Sequence, residues 1–311
     1  MRRERWEELF ALAEAQHGAF TTQQAAELEV DGAALQRARS DRLVDRARQG
    51  VWAVLALIDD WTVMAALQLA QPRAVAGYRA GAELHHFDGL DEVVMDVLVP
   101  RNVRLRGPNV HRVDDLVVPE IVVVDGIRCT DEVRTLIDYA ALVDDDHVER
   151  AMESVFRRDC SKRALLVDRA TALARPGKSG PARALRVESR LPEVPTESDL
   201  ETVYWQGLVR YGVPLPVRQY ELRDARGGVI ARFDDAYVDI KLFIELDGWS
   251  SRKTRDAFGH DRRRQNAAVA HDWTPLRFTD SDVRTYMRRT AHITRTEVER
   301  RRARLVADRV A

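Results

Sequence analysis

Apolar residues recur at helical spacing over residues 5–17, where Trp6, Leu9, Phe10 and Leu12 share a face and Gly18 follows as a helix stop. Thr21 or Thr22 then caps a short helix, TQQAAELE, and a third helix is predicted over residues 31–42. In LVDRARQGVWAVLA the apolar residues flank Gly50, which predicts a small hairpin. Three short helices followed by a hairpin is the order of a winged helix-turn-helix. Beyond it, residues 61–71 read as helix, and EVVMDVLVP and EIVVVDGIRCT read as strands because β-branched residues dominate both. Thr130 is expected to cap DEVRTLIDYAALV, and more helix is predicted over 146–158 and 161–174.

Pro192 and Pro195 in a polar stretch mark a boundary near 190–197. A helix follows in SDLETVYWQGLVRYGVP, with Leu200, Val203, Tyr204, Leu208 and Tyr211 on one stripe. LPVRQYELR, GGVIARFDDAYV and IKLFIELDG are predicted strands. HDRRRQNAAVAHDW reads as helix, TPLRFT as strand, and residues 281–305 as a long basic helix. The predicted organisation is multidomain α+β: a winged helix over 1–57, an α+β middle region over 58–190, and an α-β-β-β-α-β-α region over 197–311.

Composition narrows the function only by exclusion. The 49 Lys and Arg balance 50 Asp and Glu, so overall charge does not point to nucleic acid and the distribution must. Cys129 and Cys160 stand apart from any Cys/His spacing, which removes zinc and dithiol chemistry and fits a reducing compartment. No apolar run of about 18 residues exists, so no membrane span is expected. MRRERWEELF has neither the apolar core nor the cleavage site of a signal peptide, and the expected location is the cytoplasm. RPGKSG contains Gly-Lys-Ser, but Ala172 stands where a phosphate-binding loop needs its first glycine, so the segment reads as a turn.

The candidate chemistry lies in FDDAYVDIKLFIELDG. A hairpin centred between Asp239 and Ile240 sets Asp234 opposite Glu245, and Asp247 opposite Arg232. Two carboxylates about 4.5–5.5 Å apart at Cβ repel unless a cation or proton joins them. Mg²⁺ is commonly held by one or two carboxylates. Glu245, between Ile244 and Leu246, is the hardest of these acids to explain structurally. Asp247 has a cross-strand partner available in Arg232, and Asp235 and Asp239 read as solvated or turn residues. Glu201 forms a capping-box pattern with Ser198.

Two resemblances follow from these residues. QHGAFTTQQAAEL with LQRARSDRLVDRARQGVWAV resembles the N-terminal domain of AbiEi-type antitoxins and related transcriptional regulators, through Gln16, His17, Gly18, Thr21, Gly50, Val51 and Trp52. GIRCTDEVRTLIDYA is similar to the second domain of the same proteins, where it has no settled catalytic role and is expected to be structural or partner-binding. The resemblance implies double-stranded DNA as partner, with Gln36, Arg37, Arg39 and Ser40 on the recognition helix and Arg46 and Arg48 on the wing, and a toxin as a second partner.

Residues 197–289 resemble the PD-(D/E)XK nuclease superfamily, nearest to domains related to very-short-patch repair endonucleases. This implies a restriction-endonuclease-like αβββαβ fold, Mg²⁺ or Mn²⁺ as cofactor, and phosphodiester hydrolysis. By that resemblance Asp234, Glu245, Asp247 and Glu201 are the catalytic acids, and Asp234, Glu245 and the Leu246 carbonyl hold the metal. Gln219, Asp261, Arg262, Arg264 and LRFT match further positions, and Arg252, Arg262 and Arg264 are expected on DNA phosphates. Arg252 stands where relatives carry His, and Gln265 where an acid is common; His260 is the spatial alternative for the missing imidazole. Those departures favour a competing expectation, a regulator or antitoxin with an impaired nuclease fold, and a third is a scaffold whose central helices bind a toxin.

Overall fold

The computed structural model describes residues 2–105, 109–247 and 266–310. Arg252, His260, Asp261, Arg262, Arg264 and Gln265 therefore lie outside the described residues. The chain divides into two units, Met1–Ala151 with Ser161–Ser189, and Met152–Cys160 with Arg190–Ala311.

The first unit opens with α1 (Arg2–Glu14), β1 (Ala19–Thr21), α2 (Thr22–Glu27), α3 (Gly32–Ser40), β2 (Val44–Arg48) and β3 (Val51–Val54). Thr21 is the cap of α2, in a reciprocal capping box with Gln24, and Asp31 caps α3. β1, which the helical pattern hides, pairs with β3 and completes a sheet in the order β1-β3-β2. Leu9, Phe20, Ala25, Leu35, Val44 and Trp52 form the core beneath the helices. Gly50 turns the wing at φ +74°, a conformation that costs a residue without Cβ little.

The same unit continues with α4 (Thr62–Ala70), β4 (Val75–Ala76), α5 (Tyr78–Leu84), β5 (Val97–Pro100), β6 (Val110–Val113), β7 (Ile121–Val124), β8 (Ile127–Thr130) and α6 (Glu132–Tyr139). Then come α7 (Asp145–Arg158), whose residues from Met152 onward count with the second unit, α8 (Lys162–Leu173) and α9 (Ser179–Glu188). The five strands lie in the order β6-β5-β4-β8-β7. One core joins Ala19 and Val51 of the small sheet to Met64, Leu67, Ala76, Val97, Ile127 and Cys129, so apolar packing runs across the 57/58 position.

Three local expectations are corrected here. EVVMDVLVP is strand only over its last four residues. EIVVVDGIRCT is two antiparallel strands joined at Asp125-Gly126, where both residues have positive φ. Asp131, not Thr130, caps α6, because its carboxylate accepts from the Arg134 N–H at 2.7 Å, while Thr130 Oγ1 is engaged with Thr135 Oγ1 at 2.6 Å.

The second unit contains α10 (Asp199–Arg210), β9 (Val217–Arg223), β10 (Val229–Tyr237), β11 (Leu242–Asp247), helical residues 266–270, β12 (Thr274–Thr279), α11 (Asp280–Arg284) and α12 (Met287–Val310). The helix expected over 281–305 is thus two helices, α11 being capped by its own Thr279–Asp282 box. The sheet runs β12-β11-β10-β9, with β9, β10 and β11 antiparallel and β12 parallel to β11. Leu200, Tyr204 and Leu208 of α10 pack on Tyr237, Leu242, Ile244 and Phe278, and Val298 joins them from α12. Phe233, Phe243, Ala268 and Trp273 form a separate cluster. No helix among the described residues is long and apolar enough to cross a membrane.

Candidate functional site

Chemistry-bearing residues gather in two places, one in each unit. In the first unit, α3 buries Leu35 and Ala38 and leaves Gln36, Arg37, Arg39 and Ser40 exposed, since their positions fall on the opposite side of the helical repeat. These four are not equivalent. Arg39 is held by Asp45 of β2 at 2.7 Å, and Ser40 Oγ bonds back to the Gln36 carbonyl. On the wing, Arg46 lies over the Trp52 ring at 5.2 Å, and Trp52 is fixed by its indole N–H donating to Thr22 Oγ1. Arg48 is exposed at the wing end. Arg37 is thus the cation of α3 with no carboxylate partner among the described residues. Arg37→Ala is expected to cost about 1–3 kcal/mol in binding to a duplex carrying the gene's own upstream region, by gel shift. Unchanged binding would remove α3 as the recognition helix.

In the second unit, register brings the acids together. Asp235, Ala236 and Tyr237 pair with Ile244, Phe243 and Leu242, so the next step of the same register sets Asp234 against Glu245. On the other side, the ladder to β9 passes from Phe233↔Tyr220 to Asp235↔Arg218, skipping Asp234 and Gln219. Gln219 sits there at φ +50°. Strand faces change over at this point. Phe233 stacks on Phe243 at 4.1 Å, whereas Asp235 accepts from the Trp205 indole of α10 at 2.8 Å. Residues two apart on an undisturbed strand share a face. Continuing outward, Glu245 pairs with Arg277 of β12. Carrying both registers through this gap lines up Gln219, Asp234, Glu245 and Arg277 across the four strands, with Glu245 and Arg277 the directly paired step.

Each member of the row has a definite state. The Leu246 N–H donates to Asp234 Oδ2 at 3.0 Å. Burial pushes the Asp234 carboxyl up to about 6; the Leu246 hydrogen bond opposes this, and the charges of Glu201 and Glu245 add to it. Glu245 is ion-paired through Oε2 to Arg277. Among the described residues, Asp234 Oδ1 and Glu245 Oε1 have no partner.

Glu201, read both as a partner of the Ser198 cap and, by resemblance, as a catalytic acid, is engaged at that cap. Its oxygens accept from the Glu197 N–H, the Ser198 hydroxyl and the Gln219 amide, all at 2.9 Å. It is a buried residue of the first turn whose N–H the Ser198 cap receives and whose carboxylate links α10 to β9, and burial raises its carboxyl above the usual range. Asp247 is exposed at the end of β11, and Arg232, expected opposite it, instead pairs with Glu197. Asp239 is exposed and paired with Arg302 at 2.9 Å, in keeping with its expected turn position.

Asp235 overturns its expected solvated role. It is 0% exposed, and among the described residues its Oδ2 has no hydrogen-bond partner. Burial holds its carboxyl well above the carboxylate range; the Trp205 hydrogen bond opposes this, and the Glu201 charge adds to it. Arg277 had only the LRFT match, because its place beside Glu245 depends on a parallel register that no local pattern reveals.

Among the described residues no group of three or more His, Cys, Asp and Glu could hold a metal ion. Two carboxylates with one free oxygen each are nevertheless within what Mg²⁺ accepts, since it retains several waters. The donor set therefore fits a hard divalent ion and not a soft one.

Residues 7–55 match the family model AbiEi_4, described as transcriptional regulator, AbiEi antitoxin. The AbiEi match begins in α1 and ends just beyond β3, so it takes in the whole small sheet with α2 and α3 and none of the acidic row. No curated protein matches the chain.

Proposed function

We propose that the chain is a DNA-binding protein whose winged helix directs a metal-dependent phosphodiesterase of restriction-endonuclease-like, PD-(D/E)XK type in the second unit. The observation that carries this reading is half-buried Asp234, which the β10–β11 register carries toward Glu245 where the β10–β9 ladder skips a pair. The α-β-β-β-α-β order of that unit supports it.

Asp234, Glu245 and the Leu246 carbonyl would hold Mg²⁺ or Mn²⁺, which when bound supplies Lewis-acid stabilisation and a water of lowered pKa. The Leu246 N–H fixes the Asp234 carboxylate, leaving Oδ1 as the donor. Gln219 and Ser198 keep Glu201 turned into its cap, so its charge acts on Asp234 through space. Asp234 binds its proton below about pH 6, and a protonated carboxyl is a poor metal donor. Nicking is accordingly expected to rise with pH through that region.

A second reading keeps the DNA binding and drops the catalysis: a regulator or antitoxin whose second unit binds DNA or a toxin. Arg277 favours it, because its guanidinium already neutralises Glu245. Mg²⁺-dependent nicking of supercoiled plasmid separates the two. The wild type is expected to nick, and Glu245→Gln to lose more than the roughly 10–100-fold that outer-shell partners of a metal cost. Equal residual nicking by both proteins would sink the catalytic reading and leave the regulator.

A further inference from the structure

The ion pair between Glu245 and Arg277 has a consequence for any cation at the acidic row. The two residues are directly in register on parallel strands. The pair is partly open, with side chains 28% and 45% exposed, and Glu245 is Arg277's sole ion-pair partner among the described residues. Other arginines of this unit are committed elsewhere: Arg218 to Glu153, Arg232 to Glu197, Arg284 to Asp199 and Asp280, and Arg301 to Glu297. Among the described residues, Arg277 is the cation paired with this row. A half-exposed pair of this kind is worth only about 0.2–1 kcal/mol, so it yields readily to a stronger competitor.

We propose that Arg277 and a divalent cation compete for the Glu245 carboxylate, and that the guanidinium displaced from Glu245 grips the DNA phosphate at the same site. This rests on the phosphodiesterase reading. Two adjacent carboxylates attract a doubly charged ion more strongly than a single guanidinium, which reaches only one of them here. The freed fork suits a phosphate, presenting parallel N–H donors to two oxygens. Asp234 stays tied to the Leu246 N–H in either case, so the exchange alters one ligand and leaves the other in place.

The test measures Mn²⁺ binding to the full chain by electron paramagnetic resonance at pH 7.5, for wild type, Arg277→Gln, Arg277→Lys and Glu245→Gln. Plasmid nicking is measured in parallel. Arg277→Gln is expected to bind Mn²⁺ about two- to fivefold more tightly, the factor equivalent to the exposed pair, and yet to nick more slowly. Arg277→Lys keeps the charge and is expected to lie between. Opposite movement of affinity and rate is something a merely structural arginine does not produce. Equal Mn²⁺ affinity in wild type and Arg277→Gln overturns the competition while the phosphodiesterase reading stands. Faster nicking by Arg277→Gln overturns the phosphate role. Weaker Mn²⁺ binding by Arg277→Gln, together with a lowered melting temperature, makes the residue structural and overturns both parts. If neither wild type nor Arg277→Gln binds Mn²⁺, the metal reading fails and this inference with it.

Discussion

Arg134→Met is expected to destabilise the first unit by about 3–5 kcal/mol, the cost of leaving buried charges without their partner. Arg134 is fully buried, yet its guanidinium reaches three carboxylates: Asp138 at 2.8 Å, Asp115 at 2.8 Å and Glu120 at 3.3 Å. Two of these have other cations, since Arg175 and Lys178 reach Asp115 and Arg169 reaches Glu120. Asp138 has Arg134 alone as its ion-pair partner among the described residues, and it is itself buried. Removing Arg134 therefore leaves one acid stranded and two others weakened. For a unit of this size the loss corresponds to a fall of roughly 6–20 °C in melting temperature. Adding Asp138→Asn to Arg134→Met is expected to recover part of the loss, because the stranded charge is then gone. Melting of Arg134→Met at the wild-type temperature would show that the network contributes little. The GIRCTDEVRTLIDYA segment thus has a structural account: its Arg134 is the hub of an ion network and its Asp131 caps the helix that carries it.

What the chain's pattern revealed, and what it hid, divides by the distance over which each feature is decided. Thr21–Gln24, Asp31 and Ser198–Glu201 are caps, decided within four residues, and each sits at the start of a helix that the periodicity placed nearby. The β10–β11 register that carries Asp234 toward Glu245 was also legible, because the strands are joined by a short turn that leaves little freedom of register. Other features depend on partners far along the chain. β1 and β4 have three and two residues, too few to show a period. α5 was missed because YRAGAEL is rich in Ala and Gly and lacks a stripe of large apolar residues. Arg277 meets Glu245 only after a crossover to a parallel strand. Asp235 was misjudged for a different reason. Acids are rarely buried without a partner, and the change of face at Asp234 that turns Asp235 toward Trp205 leaves no trace in composition.

That misjudged residue leads to an effect that grows with pH. Burial raises the Asp235 carboxyl well above its ordinary value; Trp205 opposes this and the Glu201 charge adds to it. The folded state therefore holds the Asp235 proton at pH values where the unfolded chain has released it. The stability that this proton contributes is complete below the ordinary carboxylate range and is lost as pH rises toward the folded-state value. Over that window each pH unit removes about 1.4 kcal/mol. Asp235→Asn has no proton to lose. Its amide oxygen can still accept the Trp205 N–H, and its amide nitrogen occupies the place of Oδ2, which already lacks a partner. At pH 4 the variant is expected to be no more stable than the wild type. As pH rises it should overtake, with the stability difference widening by about 1.4 kcal/mol per unit until the wild-type carboxyl ionises in the folded state. Urea unfolding of both proteins in chelator, from pH 4 to 8, measures that difference directly while most other titrating groups cancel. Parallel stability curves across this range would mean that Asp235 is ionised in the folded protein.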